Sequence, residues 1–320
     1  MTLGVSIGVS MAAFLLFLRM PLRGLMVLLF VLPFSFAVNP VSGVDLQFLR
    51  LLAPVFWFAV LLKYPSRFLE ASQKPLALLL WIFLGVAALS LLVAQEPSWS
   101  ARKLLYLWSL APLLPAAAAT YKNIDMSACR NALLAGASAA AVIGIAQFVA
   151  QFFVGTERLF GFFAAFAPYV YGKEFGALVV QHPSWFVEIG EQAYVRAFAL
   201  FPDPHIFAFY LNIAIAFTAA ILLKPASEKS IALFTGCYVL LVTALLLTFS
   251  RGGYLGFAAS HIGILFASYR SMTFAALPAS DAPSAASTPL PAASSKNTSP
   301  ACKSLPTSSP AATIFMRKYF

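Results

Sequence analysis

Two arginines, a histidine and a serine offer this chain's clearest chemistry, and that chemistry is the holding of an anion. Arg251 stands in Ser250-Arg251-Gly252-Gly253, at the junction of two apolar runs within 240–269. A guanidinium keeps its charge and offers a planar fork of N–H donors, which fits a phosphate better than an ammonium does. The glycines at 252 and 253 are expected to let the backbone turn sharply and bring amide N–H groups to the same ligand. Arg196 opens a second stretch, RAFALFPDPHIFAFYL, which ends at Leu211. There Asp203 suits an N-cap and Pro204 a first helical position, with His205 next. The free N–H groups of that helix start would make a second positive locus. Each stretch also has a plainer reading: a helix–helix turn whose arginine snorkels to the headgroups, and an ordinary capped membrane helix.

The elements that carry these residues follow from composition. Of 320 residues, 61% are hydrophobic and 10% charged, against roughly 25% charged in a soluble domain. The sequence therefore divides into membrane spans, and an all-α, polytopic transmembrane bundle is expected. About nine apolar runs have a suitable length: 3–18, 24–41, 46–62, 76–94, 103–120, 131–153, 203–223, 231–249 and 253–269. Gly136, Gly144 and several alanines give the sixth a small-residue face suited to close helix packing. The net charge of +10 comes from basic residues scattered between runs, which argues for topology and against a nucleic-acid partner. Cys129, Cys237 and Cys302 have no metal-ligand or redox spacing, so no metal site and no disulfide framework are expected.

Lysine and arginine bias orients the spans. Loops with Arg19, Arg23, Lys63, Arg67, Lys74, Lys122, Arg130, Lys224, Lys229 and Arg270 contain only Glu70, Asp125 and Glu228 in opposition. On the other side, Arg50, Arg102, Lys103, Arg158, Lys173, Arg196 and Arg251 are balanced by seven acidic residues, Asp45, Glu96, Glu157, Glu174, Glu188, Glu191 and Asp203. The first side is read as cytoplasmic, which puts Arg196 and Arg251 together outside. Two guanidiniums at span boundaries on one side could clamp one pyrophosphate.

Four regions result: N-terminal transmembrane helices (1–153), an outer loop (154–202), a transmembrane core (203–270) and a low-complexity tail (271–320). The loop shows no clear helix period, and its Tyr169, Tyr171 and Trp185 suit either sugar stacking or an interfacial belt. The tail is rich in Pro, Ser, Ala and Thr and is expected to be disordered. No P-loop, GxSxG, HExxH or CxxC is present. Of the three histidines, His261 lies in the last span and reads as a packing residue, whereas His182 in the loop could do base work.

At its two arginine motifs the sequence resembles the O-antigen ligase/polymerase superfamily of bacterial envelopes. That family's R-x-x-G-x-x-x-N-P-N-x-x-A-x-x-L pattern appears as Arg196, Ala199, Asp203, Pro204, His205, Ala208 and Leu211. Its T-x-S-R-G pattern appears as Thr248, Ser250, Arg251 and Gly252. Ala199 replaces a glycine, while Asp203 and His205 replace asparagines.

The resemblance implies a multi-pass glycosyltransferase of the bacterial inner membrane, with no cofactor, metal or nucleotide sugar. It would transfer or polymerise glycan from an undecaprenyl-diphosphate carrier onto an acceptor lipid or glycan, on the periplasmic face. Arg196 and Arg251 would bind the donor diphosphate, with His205, Ser250 and Gly252 beside them. The family histidine that acts in catalysis lies in a later periplasmic loop, for which the tail leaves no counterpart. The catalytic residue is thus unassigned, since spacing does not choose among His182, Glu188 and Glu191. A C-terminally truncated copy is the accompanying expectation. A transporter or flippase for a lipid-linked or anionic substrate, and an inactive remnant, are the alternatives.

Overall fold

Prolines set many of the helix starts. A computed structural model describes residues 3–34, 36–41, 44–120, 125–181, 184–223 and 228–276. It shows α1 (Leu3–Arg19), α2 (Pro21–Val31), a hairpin of β1 (Ala37–Val41) and β2 (Val44–Gln47), then α3 (Phe48–Lys63) and α4 (Pro65–Ser72). Next come α5 (Pro75–Leu89), continued by a 3-10 turn (Ser90–Val93), then α6 (Pro97–Leu110), α7 (Leu113–Thr120) and α8 (Met126–Val154). The remainder is α9 (Thr156–Tyr171), α10 (Lys173–Gln181), a hairpin of β3 (Phe186–Ile189) and β4 (Gln192–Val195), α11 (Pro204–Leu222), α12 (Glu228–Leu246) and α13 (Arg251–Ala276). Pro21, Pro65, Pro75, Pro97 and Pro204 each open a helix, where a missing N–H costs nothing and φ is already helical. The chain divides into Met1–Met272 and Thr273–Phe320. Of the second unit only the end of α13 is described. Residues 271–276, expected to open the disordered tail, are helical instead, and the rest of the tail, 277–320, lies outside the described residues.

The described residues are mostly helical, with two short antiparallel hairpins that the all-α expectation did not include. Among the described residues, four helices are long and apolar enough to cross a membrane: Pro75–Val93, α8, α11 and α12. A fifth span arises if α3 and α4, bent by 113° at Pro65, are taken as one. This falls below the nine spans expected. The run at 24–41 ends as helix at Val31, just ahead of Pro33, and continues as β1. Pro112 stands between α6 and α7 and divides the run at 103–120, because its ring clashes with the preceding turn and it donates no hydrogen bond.

Residues 154–202 are not a plain loop. Gly155 (φ +85°) separates α8 from α9, and Gly172 (φ +96°) separates α9 from α10. The helical period of α9 is hidden because apolar residues occupy both its faces. Leu159, Ala167 and Val170 are buried, while Phe162, Phe166 and Tyr169 are exposed.

The small-residue face expected on the sixth span is the buried face of α8. Gly136, Ala137, Ala140, Ala141 and Gly144 all lie in it. A Cβ on Gly136 would stand 2.5 Å from the Phe30 carbonyl oxygen of α2, and one on Gly144 2.9 Å from the Phe207 ring of α11. The central core is built there, from α8, α11, α12 and the strap at 195–203 that joins β4 to α11.

Candidate functional site

The strap is held from one side by two glutamines. Gln151 accepts from the Val195 N–H (2.8 Å) and donates to the Val195 carbonyl (3.1 Å). Gln147, one helical turn earlier on α8, donates to the Ala199 carbonyl (2.7 Å) and accepts from the Phe198 N–H (3.4 Å). Both are buried. An amide side chain carries a donor and an acceptor, so it can pair with an extended backbone as another strand would. Neither glutamine was singled out in the sequence. The available signal was two glutamines at i and i+4 in an otherwise apolar helix.

Along the strap, Ala199 takes a left-handed backbone (φ +50°) at the position where the pattern has glycine. Trp185 stacks on Phe198 (4.5 Å between centroids) and donates through Nε1 to the Pro202 carbonyl (2.9 Å). Tyr171 donates its hydroxyl to the Phe201 carbonyl (2.7 Å). Trp185 and Tyr171 are therefore core residues, not belt or sugar-stacking side chains, and only Tyr169 of the three aromatics is exposed. Phe198, Ala199 and Leu200 also line a cavity of about 410 Å³ between α8 and α9, walled by Phe163, Phe166 and Val170.

At the end of the strap Asp203 caps α11, accepting from the His205 N–H and, through its other oxygen, from the Ser184 hydroxyl (2.8 Å). Ser250 caps α13 in the same manner, accepting from the Gly253 N–H (3.1 Å). The two helix starts meet: His205 Nδ1 lies 2.8 Å from Ser250 Oγ. That oxygen has two lone pairs, so it can accept from Gly253 and still either give its own proton to Nδ1 or accept one from it, according to the tautomer of the ring. His205 is exposed, and its Nε2 has no hydrogen bond among the described residues.

Arg251 is the first residue of α13 and is exposed. Among the described residues its side chain has no hydrogen bond or ion pair. A cation at a helix start opposes the macrodipole, and the first N–H groups there lack intrahelical acceptors. An anion would relieve both. Gly252 is exposed beside it.

The expected turning role of the glycines is not what the backbone shows. Gly252 and Gly253 are helical, and the left-handed residue at the turn is Phe249 (φ +47°). Gly253 serves packing, because a Cβ there would lie 2.7 Å from Ala208 Cβ, and Asn212 Nδ2 donates to its carbonyl (2.8 Å). Gly252 has ordinary clearance, 3.7 Å to the Phe209 ring.

Arg196 differs sharply from Arg251. It is only 7% exposed, and it donates through Nε to the Thr248 carbonyl (2.7 Å), through Nη2 to the Phe249 carbonyl (2.9 Å) and through Nη1 to the Ser184 carbonyl (3.1 Å). Burial pulls its pKa below the ordinary value, with Asp203 and Tyr254 acting the other way.

The other candidates are dispersed. Glu188 and Glu191 are exposed on the β3–β4 hairpin, and His182 lies outside the described residues. His261 is engaged at both nitrogens, with the Tyr238 hydroxyl (2.9 Å) and the Phe257 carbonyl (2.8 Å). Among the described residues no three His, Cys, Asp or Glu side chains gather as a metal would need.

No family model, curated protein or solved structure matches the chain.

Proposed function

We propose that this chain is a membrane glycosyltransferase of the O-antigen ligase/polymerase type, drawing glycan from an undecaprenyl-diphosphate carrier on the periplasmic face of the bacterial inner membrane. The observation that carries the reading is the 2.8 Å contact between His205 and Ser250. It joins the starts of α11 and α13, the two places where the sequence resembles that superfamily, and leaves Arg251 exposed beside them. Two helix starts and a free guanidinium favour a multiply charged anion. The apolar cavity lined by Phe198, Ala199 and Leu200, on the strap that leads into α11, suits the apolar part of an amphiphile.

In the reaction, an acceptor hydroxyl attacks the anomeric carbon of the donor sugar. The bond from that carbon to the diphosphate oxygen breaks, its electron pair stays on the diphosphate, and the hydroxyl proton is lost to a base. Arg251 and the α13 N-terminus, with His205 beside them, stabilise the charge that develops on the leaving group. The acceptor would be a lipid or a growing glycan.

Arg251→Lys keeps the charge and removes the fork. In a complementation assay of glycan transfer it is expected to abolish product while membrane insertion is unchanged. Full transfer by that variant would remove the assigned role.

A further inference from the structure

Arg196 and Arg251 look equivalent in sequence, each an arginine at a span boundary, yet the fold gives them opposite surroundings. The guanidinium of Arg196 is enclosed, with Nε, Nη1 and Nη2 each turned to a backbone carbonyl. Two of those carbonyls belong to Thr248 and Phe249, which follow α12 and precede Ser250. The carbonyls at the end of a helix lack intrahelical donors, and a buried carbonyl without a donor is destabilising. The main chain beside Arg196 acts on the same turn. Ala197 N–H donates to the Leu247 carbonyl there (2.9 Å), while Arg196 N–H ties the strap elsewhere, to the Trp185 carbonyl just before β3 (2.7 Å). Within this turn Phe249 holds φ +47°, a conformation that a non-glycine residue keeps only when its surroundings enforce it. Thr248 and Ser250 on either side are fully buried, whereas Arg251 emerges into the open.

We infer that Arg196 is a positioning residue: it fixes the left-handed turn at Phe249, and through that turn aims Arg251 and the start of α13, instead of gripping the anion itself. The two arginines then divide the work. One organises backbone from inside, and the other meets the ligand. The inference rests on the proposed anion at Arg251 for one of its two readouts only.

The test compares the wild-type protein with Arg196→Gln, Arg251→Gln and the double variant Arg196→Gln/Phe249→Gly, all in detergent. Glycine adopts the left-handed backbone without outside help, so it should rescue a lost positioning role but not a lost ligand contact. The first readout is hydrogen exchange across 247–254. Arg196→Gln should speed exchange there by about tenfold or more, with Arg251→Gln unchanged. Unchanged protection in Arg196→Gln overturns the inference. The second readout is calorimetric binding of inorganic pyrophosphate. Arg196→Gln should weaken it, the double variant should return to within about threefold of wild type, and Arg251→Gln should stay weak by about tenfold or more. A double variant that regains protection at 247–254 but binds as poorly as Arg251→Gln makes Arg196 a ligand and overturns the inference. If the wild type binds no pyrophosphate, the anion reading falls, and exchange alone decides the role of Arg196.

Discussion

Ser250 Oγ stands between two groups, 2.8 Å from the Nδ1 of His205 and 3.1 Å from the Gly253 nitrogen. One hydroxyl therefore caps α13 and orients the ring that starts α11. Ser250→Ala removes both contacts at a fully buried position. It should cost about 1 kcal/mol of stability, as lost caps do, seen as a lower thermal midpoint in detergent. Ser250→Thr, which keeps the hydroxyl, should retain more pyrophosphate binding than Ser250→Ala does.

Ala199 occupies left-handed backbone in the strap. Ala199→Gly should raise stability by about 1 kcal/mol, because a Cβ is disfavoured in that region. A β-branched residue there should lower it further than any other aliphatic substitution. Thermal or denaturant unfolding of the variants checks the order.

The two glycines of the α13 start should behave differently. Gly253→Ala places a methyl 2.7 Å from Ala208 Cβ, and overpacking of that kind costs about 1–3 kcal/mol. Gly252→Ala meets nothing nearer than 3.7 Å, so its stability should be unchanged or slightly raised by the better helix propensity. Parallel melting curves separate the two.

Gln151→Leu would leave both main-chain groups of Val195 without their side-chain partner in a buried place. A loss of about 1–3 kcal/mol is expected for each orphaned group, tempered by whatever water reaches it. The strap at 195–199 should then exchange its amide protons faster, with α5 unaffected.

What could be read in advance was local. Asp203 and Pro204 identify a helix start because cap and first-turn chemistry need only neighbouring residues. The alanines and glycines of α8 announce a packed face for the same reason. The role of Arg196 was not legible, since the carbonyls it meets at Thr248 and Phe249 lie 52 and 53 residues away in sequence. Nor was Phe249 expected to take the turn, because Gly252 and Gly253 beside it looked better suited. Packing against Ala208 claims Gly253, and helix geometry absorbs both glycines. Span counting failed where Pro33 and Pro112 interrupt apolar runs, since average hydropathy does not register a broken helix.

The clamp that Gln147 and Gln151 place on residues 195–199 is made of amides. Neither side chain gains or loses a proton in water, and each both gives and receives a hydrogen bond in its one neutral form. Glutamate in either place would have to be protonated before it could donate. The segment that carries Arg196 is thus gripped equally in acid and at neutrality, so any response of this protein to acidity must originate elsewhere than in the hold of α8 on its strap.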